Sequence, residues 1–398
     1  MQPDVLLDLT PLETTTRYRG IGRYIEKLGT AIAELTPSER HGLSIGGLTA
    51  LSGPHPIGSL TWRGSPEPLY KDNAWGEAQW LTARRTSLVA TLRRNPPRLL
   101  HLTQNWGTPR GSFVPRVITC HDVVPLALAR DYLRVWWAYR YILQGIEMTR
   151  FRSARRVIAI SKHTADDIIR ILGVPPAAID VVPHGVDLER FHPMRAGQEA
   201  EEAASALRRW KLDERPYFLH IGAADPRKNV DTLIHGFARA KLSDVDLVIL
   251  GRLIPSHKAK IDRALEEVGR LSSSSARARV RLLGYVPDAD LPAILAGALA
   301  LPFTSSYEGF GFTPLEAMAC GCPVVTTGAT SIGEVVGDAA LLVPVRDVDA
   351  LAAALRRVAT ETSLCADLRR AGLARAAQFT WRSAALGTVD SYARALRG

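Results

Sequence analysis

The sequence contains few cysteines and no long apolar run. None of its four cysteines belongs to a Cys-x-x-Cys pair or a zinc-ligand spacing, which argues against a disulfide scaffold and a zinc module. They lie in apolar segments, where we expect them to act as small hydrophobic side chains. The longest apolar run, 293–303, has eleven residues. Because about 20 are needed to span a bilayer, the sequence predicts no transmembrane helix.

The first ten residues, MQPDVLLDLT, also lack the basic leader of a secretion signal. Acidic residues interrupt their apolar run, so we expect a first β-strand rather than an export signal. With the low cysteine content, this predicts a cytoplasmic protein. The length of 398 residues, 46% of them apolar and 23% charged, is typical of a folded enzyme with two domains.

Positive charge is concentrated in the first half of the chain. Residues 1–195 hold 25 Lys and Arg against 17 Asp and Glu, whereas the remainder holds 25 against 23. The bias favours a negatively charged partner, which could be nucleic acid, an anionic membrane or a phosphorylated substrate. Solubility alone is the alternative explanation.

Short β-branched runs alternate with helix-like stretches in both halves. The predicted strands are 5–10, 43–50, 99–103, 116–122, 156–161 and 180–183, then 217–222, 245–251, 280–286, 299–303, 323–327 and 341–345. Nearly continuous apolar strands between amphipathic helices indicate parallel sheets that are covered on both faces. The fold class is therefore α/β, with two doubly wound, Rossmann-like domains facing a central cleft. A polar, Ala/Glu-rich stretch at 196–213 is the expected linker between domains 1–195 and 214–375.

The strongest local motif is YEGFGFTPLEAMACGCPVV, at 307–325. Gly309 and Gly311 allow backbone amides to approach an anion, and the helix that we expect next favours negative charge at its start. The motif therefore predicts a pyrophosphate cradle. Glu316 could accept hydrogen bonds from ribose, and Glu308 could reach a sugar, although both could also be ordinary surface acids.

A basic pair follows another predicted strand in HIGAADPRKN, at 220–229. Arg227 and Lys228 lie after Gly222 at a strand end, where ligands of open parallel sheets bind. Such fixed cations would stabilise the charge that grows on a leaving diphosphate. A solvated basic turn is the alternative explanation.

The first half offers weaker candidates at its own strand ends. They are Arg17, Arg19, Gly20, Gly22, His121, Asp122 and His184. Gly20 and Gly22 indicate a basic, glycine-containing loop ahead of a helix, although a tight turn alone would explain them. His121 could contact a sugar hydroxyl or the reacting centre, or it could be a buried structural histidine. The Pro and Gly beside His184 suffice to explain a turn there.

The chain resembles the GT-B-fold glycosyltransferases of the large group 1 family, retaining enzymes that include bacterial mannosyl- and rhamnosyltransferases. The resemblance covers nearly the whole chain. It rests on RGIGRY, VITCHD, AISKHTADDI, VVPHGVD, ADPRKN, LLGYV, TSIGEVVGDAALLVP and the block with Glu308 and Glu316. Many relatives carry Asn in place of His184, which leaves a role for that side chain open.

The resemblance implies that the first domain binds the acceptor, the second binds a nucleotide sugar, and a C-terminal helix at 376–398 crosses back. Arg227 and Lys228 would bind the diphosphate, Glu316 the ribose, and the backbone near Val286 the base. Glu308 and the amides of 309–311 would bind the donor sugar. The expected site residues are His121, Glu308, Arg227 and Lys228 for catalysis; Gly20, Gly22, Gly222, Val286, Gly309, Phe310, Gly311 and Glu316 for the donor; and Arg17, Arg19 and Asp122 for the acceptor.

Three Asp-x-Asp triplets occur, a spacing that elsewhere holds a metal-bound nucleotide sugar. They are Asp244/Asp246, Asp288/Asp290 and Asp347/Asp349. Each fits a turn or a helix N-cap, most clearly Asp288 ahead of a helix at Leu291, where a side-chain oxygen would satisfy free amides. We therefore expect no metal and no other cofactor.

The resemblance implies transfer of a hexose to a glycan hydroxyl with retention at the anomeric carbon. GDP-mannose is the first donor that we expect, and other GDP-, UDP- or dTDP-sugars are the alternatives. An epimerase acting on nucleotide sugars could use the same fold. A nucleic-acid-binding protein would fit the charge but lacks a recognisable binding module.

A basic and aromatic stretch at 130–156 bears on the acceptor. Seven arginines stand against two acids there, with Trp136, Trp137, Tyr139 and Tyr141 interleaved. Such a mixture suits a membrane interface, and a helix with buried aromatics is the alternative. The first option predicts a lipid-linked acceptor in bacterial polysaccharide assembly and peripheral attachment to the inner face of the membrane.

Overall fold

The computed structural model describes residues 3–18, 20–49, 59–61, 87–105, 107, 114–129, 146, 148–222, 225–251, 255–271 and 279–397. The chain divides into two compact units. The first comprises Met1–Gly185 with Thr380–Gly398, and the second comprises Val186–Phe379. No helix within the described ranges is both long and apolar enough to cross a membrane.

The first unit is built on one parallel sheet of seven strands. They are β1 (Val5–Asp8), β2 (Ile45–Thr49), β3 (Ser59–Thr61), β4 (Leu99–Leu102), β5 (Arg116–Cys120), β6 (Arg156–Ala159) and β7 (Ile179–Val181). Their order is β3-β2-β1-β4-β5-β6-β7, and Val5 lies opposite Ile45 on one side and Leu99 on the other. Every strand predicted in this half is confirmed. The short, polar β3 was missed because it has no apolar run.

Helices cover this sheet with apolar faces. The described helices of the unit are Gly20–Glu34, Ser87–Arg94, Val124–Ala127, Lys162–Asp167 and Trp381–Arg397. Ile25, Leu28 and Ile32 recur at helical spacing in the first of them and are fully buried on the sheet. Val389 and Tyr392 of the last helix belong to the same core, so the C-terminal helix packs within the first unit.

A buried carboxylate fastens that C-terminal helix. Asp180 on β7 accepts hydrogen bonds from Arg156 Nε at 2.7 Å and from Ser391 Oγ at 2.7 Å, and it pairs with Arg394 at 3.0 Å. Burial alone would raise the pKa of Asp180, but these donors outweigh it and lower the pKa. The network joins two strands to residues at the end of the chain.

The second unit contains two three-stranded parallel ladders. They are β10 (Val280–Gly284), β9 (Asp246–Leu250) and β8 (Tyr217–Ile221), then β11 (Leu301–Phe303), β12 (Val324–Thr327) and β13 (Leu341–Val343). A parallel bridge between Phe218 and Ala300 joins them, which places β8 beside the segment that enters β11. All strands predicted in this half are confirmed. Chain order reverses between β8 and β11, the position where open α/β sheets bind ligands.

The described helices of the second unit are Gln198–Arg209, Val230–Ala240, Pro255–Leu271, Leu291–Ala296, Phe312–Ala319, Ser331–Val336, Val348–Thr360 and Thr362–Ala376. The first of them occupies most of 196–213, where a linker was expected. Its Ala203 and Ala206 pack against Ala293, so this stretch is part of the folded unit. Alanine and glutamate are strong helix formers, which explains the difference.

Candidate active site

Two loops meet at the carboxyl ends of β8 and β11. The 3-10 turn Pro226–Lys228 follows β8, and residues 304–311 follow β11. Ser306 N donates to the carbonyl of Arg227 at 2.8 Å, and Thr304 Oγ1 donates to the carbonyl of Lys228 at 2.7 Å. These bonds hold the basic pair against the second loop.

The turn that carries the basic pair is capped at both ends. Asp225 Oδ1 accepts from the backbone N–H of Arg227 at 3.1 Å, as an N-cap does. At the other end Asn229 adopts a left-handed conformation with φ 48°, which asparagine tolerates better than most residues. Its Nδ2 donates to the carbonyl of Thr304 at 3.0 Å. The backbone around Arg227 and Lys228 is therefore fixed.

Glu308 is the carboxylate around which these cations gather. Lys228 Nζ donates to its Oε1 at 2.6 Å, and Arg227 Nη1 lies 3.2 Å from its Oε2. Ser305 Oγ donates to Oε1 at 2.8 Å, and Lys228 Nζ also stands 4.2 Å from the centre of the Phe303 ring. The structure thus brings together three residues that the sequence predicts for catalysis.

The cluster is buried and its formal charges balance. The side chains of Lys228 and Glu308 are each 12% exposed, and that of Arg227 is 19% exposed. Asp225 Oδ2 accepts from Arg227 Nε at 3.1 Å, so two carboxylates face two cations. Burial raises the pKa of Glu308, but Arg227 and Lys228 outweigh it and hold the pKa below its usual value. Glu308 is therefore ionised at neutral pH.

The backbone beyond Glu308 is anchored as well. The N–H of Glu308 donates to Thr330 Oγ1 at 3.1 Å, and Ser331 Oγ donates to the carbonyls of Glu308 at 2.7 Å and Phe310 at 2.9 Å. The Phe310 ring is buried and packs edge-on against Phe312 and Phe379. Phe310 thus anchors the glycine-containing turn through its side chain.

Gly311 lies just before the helix Phe312–Ala319. Its φ of 126° is a conformation that L side chains rarely adopt, so glycine is needed there. The start of a helix favours negative charge and is a common place for anions to bind. Glu316 lies further along the same helix and is buried.

The other donor-site candidates of this unit also follow strands. Gly222 comes directly after β8 with φ 106°, and a Cβ there would lie 3.1 Å from Lys228 Cε. Its lack of a side chain leaves room for that lysine. Val286 follows β10 and is buried.

His220 on β8 is a neighbour of this cluster that the sequence analysis missed. It is fully buried, and its Nδ1 donates to the carbonyl of Pro302 at 2.9 Å. Its Nε2 has no hydrogen-bond partner within the described residues. Burial lowers its pKa to about 4, with Lys228 adding to the effect. The only available signal was one histidine in an apolar strand.

In the first unit, His121 is held by its surroundings. Its Nε2 donates to the carbonyl of Thr103 at 2.8 Å, and its ring packs edge-on against Tyr24 with 4.8 Å between ring centres. Burial lowers its pKa to about 4, so the ring is neutral at pH 7 and Nδ1 is the acceptor nitrogen. His184 is buried, and its ring packs against those of Tyr24 and Trp381.

The remaining candidates of the first unit have local structural roles or little burial. A Cβ on Gly22 would lie 2.4 Å from Arg17 Cα, so glycine lets the preceding turn pack on the helix that begins at Gly20. Asp122 Oδ1 accepts from the N–H of Val124 at 3.2 Å. The Arg17 side chain is exposed, and Arg19 lies outside the described residues.

The aspartate triplets differ partly from expectation. Asp347 Oδ1 accepts from Ala350 N at 2.9 Å, so the predicted cap is confirmed there. Asp290, rather than Asp288, is the cap residue before Leu291, and its side chain makes no capping bond. Asp246 begins β9 instead of a turn.

The prediction for Asp288 was therefore wrong. The Asp290 carboxylate instead accepts from Arg209 Nη1 and Trp210 Nε1, each at 2.8 Å. These two donors come from the end of the helix that occupies the expected linker. They hold that helix against the start of the helix Leu291–Ala296.

Most of the residues on which the membrane-interface hypothesis rests lie outside the described ranges. Residues 130–145, which include Trp136, Trp137, Tyr139 and Tyr141, are not among the described residues. Phe151, near its end, is buried in the first unit, and Arg156 is bound to Asp180. Those two residues therefore contribute to the folded unit.

Two protein families match the chain. Residues 206–375 match the family described as Glycosyl transferases group 1, and residues 48–190 match Glycosyltransferase Family 4. A sucrose-phosphate synthase from Thermosynechococcus elongatus superposes with a TM-score of 0.73 at 21% identity, over 99% of this chain and 98% of that one. The fold is therefore GT-B, with two Rossmann-like domains. Residues 206–375, within the second unit, therefore form a group 1 glycosyl transferase domain.

Sequence relatives include two bacterial mannosyltransferases. The chain is 32% identical to O-antigen chain mannosyltransferase B of Escherichia coli, over 60% of this chain and 61% of that protein. It is also 32% identical to the MMP alpha-(1->4)-mannosyltransferase of Mycolicibacterium hassiacum, over 73% of this chain and 66% of that protein. Both matches span less than two thirds of the relative's own length.

Proposed function

We propose that this protein transfers a hexose from a nucleoside-diphosphate sugar to a glycan hydroxyl, with retention of anomeric configuration. The observation that carries the proposal is the cluster of Arg227, Lys228 and Glu308 at the carboxyl ends of β8 and β11. It supplies fixed cations for a diphosphate and a carboxylate for sugar hydroxyls. The helix that follows Gly311 begins directly after the loop of residues 304–311, and the start of a helix favours negative charge.

The roles follow from the charges. Arg227 and Lys228 stabilise the negative charge that grows on the departing diphosphate, an effect worth about 3 kcal/mol for one well-placed donor. Glu308 accepts hydrogen bonds from the donor sugar, and Glu316 accepts them from the ribose. The backbone near Val286 contacts the base. In the first unit, His121 offers its Nδ1 lone pair to a sugar hydroxyl.

Retention is proposed to occur by front-face attack. The bond between the anomeric carbon and the diphosphate oxygen breaks, the acceptor oxygen bonds to the same face, and the departing phosphate oxygen takes the acceptor proton. The positive charge of Arg227 and Lys228 makes a divalent metal dispensable.

GDP-mannose is the first candidate for the donor. Two mannosyltransferases among the relatives, each 32% identical to this chain over the matched part, support mannose. A thermal-shift comparison of GDP, UDP and dTDP tests the base, because a ligand that binds only the folded state raises the unfolding temperature. We expect the largest shift with GDP. Equal shifts with all three nucleotides would contradict a selective base pocket.

A lipid-linked glycan at an anionic membrane is the proposed acceptor. Support comes from the charge of 1–195 and from the arginine and aromatic content of 130–156. Co-sedimentation with vesicles tests it: binding should increase with anionic lipid and decrease with salt. Charge reversal at Arg134 and Arg140 should weaken it. Binding that does not depend on the charge of the lipid would leave the proposal of a lipid-linked acceptor without support.

A further inference from the structure

Glu308 occupies the place that the sequence assigns to the donor's diphosphate. Its two carboxylate oxygens engage Lys228 Nζ and Arg227 Nη1, the cations expected to meet phosphate oxygens. We propose that Glu308 is a displaceable internal anion, which a nucleoside diphosphate must move from these cations in order to bind. This inference rests on the proposed function.

The charge balance of the cluster supports competition between Glu308 and a diphosphate for Arg227 and Lys228. A diphosphate approaching the cluster meets two cations already matched by Glu308 and Asp225, so it gains full attraction only when one carboxylate leaves. Asp225 also caps its own turn by accepting from Arg227 N, which ties it in place. Glu308 contacts both cations, whereas Asp225 contacts Arg227, so the departure of Glu308 makes both cations available to the ligand.

Displacement of Glu308 requires only a side-chain rotation. The backbone of Glu308 is bonded on both sides, through its N–H to Thr330 and through its carbonyl to Ser331. The carboxylate is held by Lys228, Arg227 and Ser305 Oγ, and none of these bonds involves the backbone of Glu308. A ligand phosphate can replace it on both cations while the loop stays fixed.

The exchange discriminates between intact donor and free nucleotide. An intact donor brings sugar hydroxyls that can donate to the released carboxylate, so the lost ion pairs are partly replaced. A free nucleoside diphosphate lacks the hexose and its hydroxyls, so the released carboxylate gains no hydrogen bonds from them. After transfer, Glu308 can return to Lys228 and Arg227 and promote release of the product nucleotide.

Calorimetric titration of GDP and of UDP into wild-type protein and Glu308→Gln tests the inference. Glutamine keeps the shape but removes the competing charge, so we expect the better-bound nucleotide to bind about tenfold more tightly, the change that 1.4 kcal/mol produces. Glu361→Gln is the matched control, because Glu361 forms an exposed ion pair with Arg357. It should bind both nucleotides like wild type.

Two further variants distinguish competition by Glu308 from a general loss of structure at the site. Ser305→Ala removes one bond that holds the carboxylate and should tighten nucleotide binding in the same direction by a smaller factor. In a Lys228→Met background, Glu308→Gln should increase nucleotide affinity by a clearly smaller factor, because one of the two cations for which Glu308 and the phosphate compete is absent. Circular dichroism and thermal melts identify any variant that fails to fold, and Ser305→Ala then serves alone.

The outcomes distinguish this inference from the proposed function. Equal or weaker nucleotide binding by folded Glu308→Gln, with normal wild-type binding, would overturn the inference alone. A gain of the same size in the Lys228→Met background would also overturn it. Absence of GDP and UDP binding by both wild type and Glu308→Gln would overturn the proposed nucleotide-sugar site together with the inference.

Discussion

Lys228 Nζ lies 2.6 Å from Glu308 Oε1, although the two residues are 80 positions apart in the sequence. The loops that carry them follow β8 and β11, which a parallel bridge between Phe218 and Ala300 makes neighbours. Buried ionisable groups with specific charge partners are common at functional sites, and this pair is the centre of the nucleotide-sugar site that we propose.

Replacement of Lys228 should slow catalysis without unfolding the protein. We expect Lys228→Ala to lower kcat about 100-fold, the typical loss for one electrostatic stabiliser, and Arg227→Ala to act similarly. Steady-state kinetics with the preferred donor provide the measurement. Lys258→Ala is the control, because Lys258 is exposed and pairs with Asp262 one helical turn away. Wild-type kcat in folded Lys228→Ala would refute the diphosphate assignment.

Glu316 should affect binding more than turnover. Hydrogen bonds to the ribose are made in the ground and transition states alike, so we expect Glu316→Gln to raise the KM for donor about tenfold with little change in kcat. Glutamine is preferred to alanine because the site is buried and a cavity would destabilise the helix. The exposed Glu267→Gln serves as the control. An unchanged KM would show that Glu316 does not contact the donor.

Activity should persist in excess EDTA. The carboxylates that could suggest a metal site have other partners: Asp290 binds Arg209 and Trp210, and Asp347 caps a helix. Arg227 and Lys228 can supply the positive charge instead. Initial rates with EDTA, and after adding back Mg²⁺ or Mn²⁺, provide the test. Strict dependence on either ion would reverse the prediction.

Buried neutral histidines should make the fold sensitive to mild acid. Burial lowers the pKa of His220 and His121 to about 4 and that of His101 to about 3, from 6.5. The unfolded chain therefore binds more protons as the pH falls from 6.5 towards 4, and stability is lost across that window. Each such histidine contributes at most about 1.4 kcal/mol per pH unit.

Urea unfolding at pH 7.5, 6.0 and 5.0 measures this loss. His220→Leu should flatten the dependence on pH, because it removes one of the titrating groups and leaves no unpaired Nε2. The same slope in His220→Leu and wild type would contradict the assignment of a depressed pKa.

All strands except β3, and the cluster residues Arg227, Lys228 and Glu308, were predicted from the sequence. The pattern of apolar residues and the position of a residue at the end of a strand are local features that a sequence shows directly. The sequence did not predict that Glu308 neutralises Arg227 and Lys228, since pairing depends on which loops become neighbours. No sequence pattern marks His220 as a site residue, because it is a single polar residue in an apolar strand. The Ala and Glu content of 198–209 favours a helix, and a helix is what the structure has there. The polar character of the same stretch led to the prediction of a linker.

The most direct test of the central claim is the anomeric configuration of the product. GDP-mannose or the donor chosen by thermal shift is incubated with a glycan acceptor, and proton NMR follows the anomeric signals while released nucleotide is measured. The account predicts a glycoside with the donor's configuration, formed in equal amount to nucleoside diphosphate and about 100-fold more slowly by Lys228→Ala. An inverted linkage, or rapid epimerisation of donor without transfer, would contradict it.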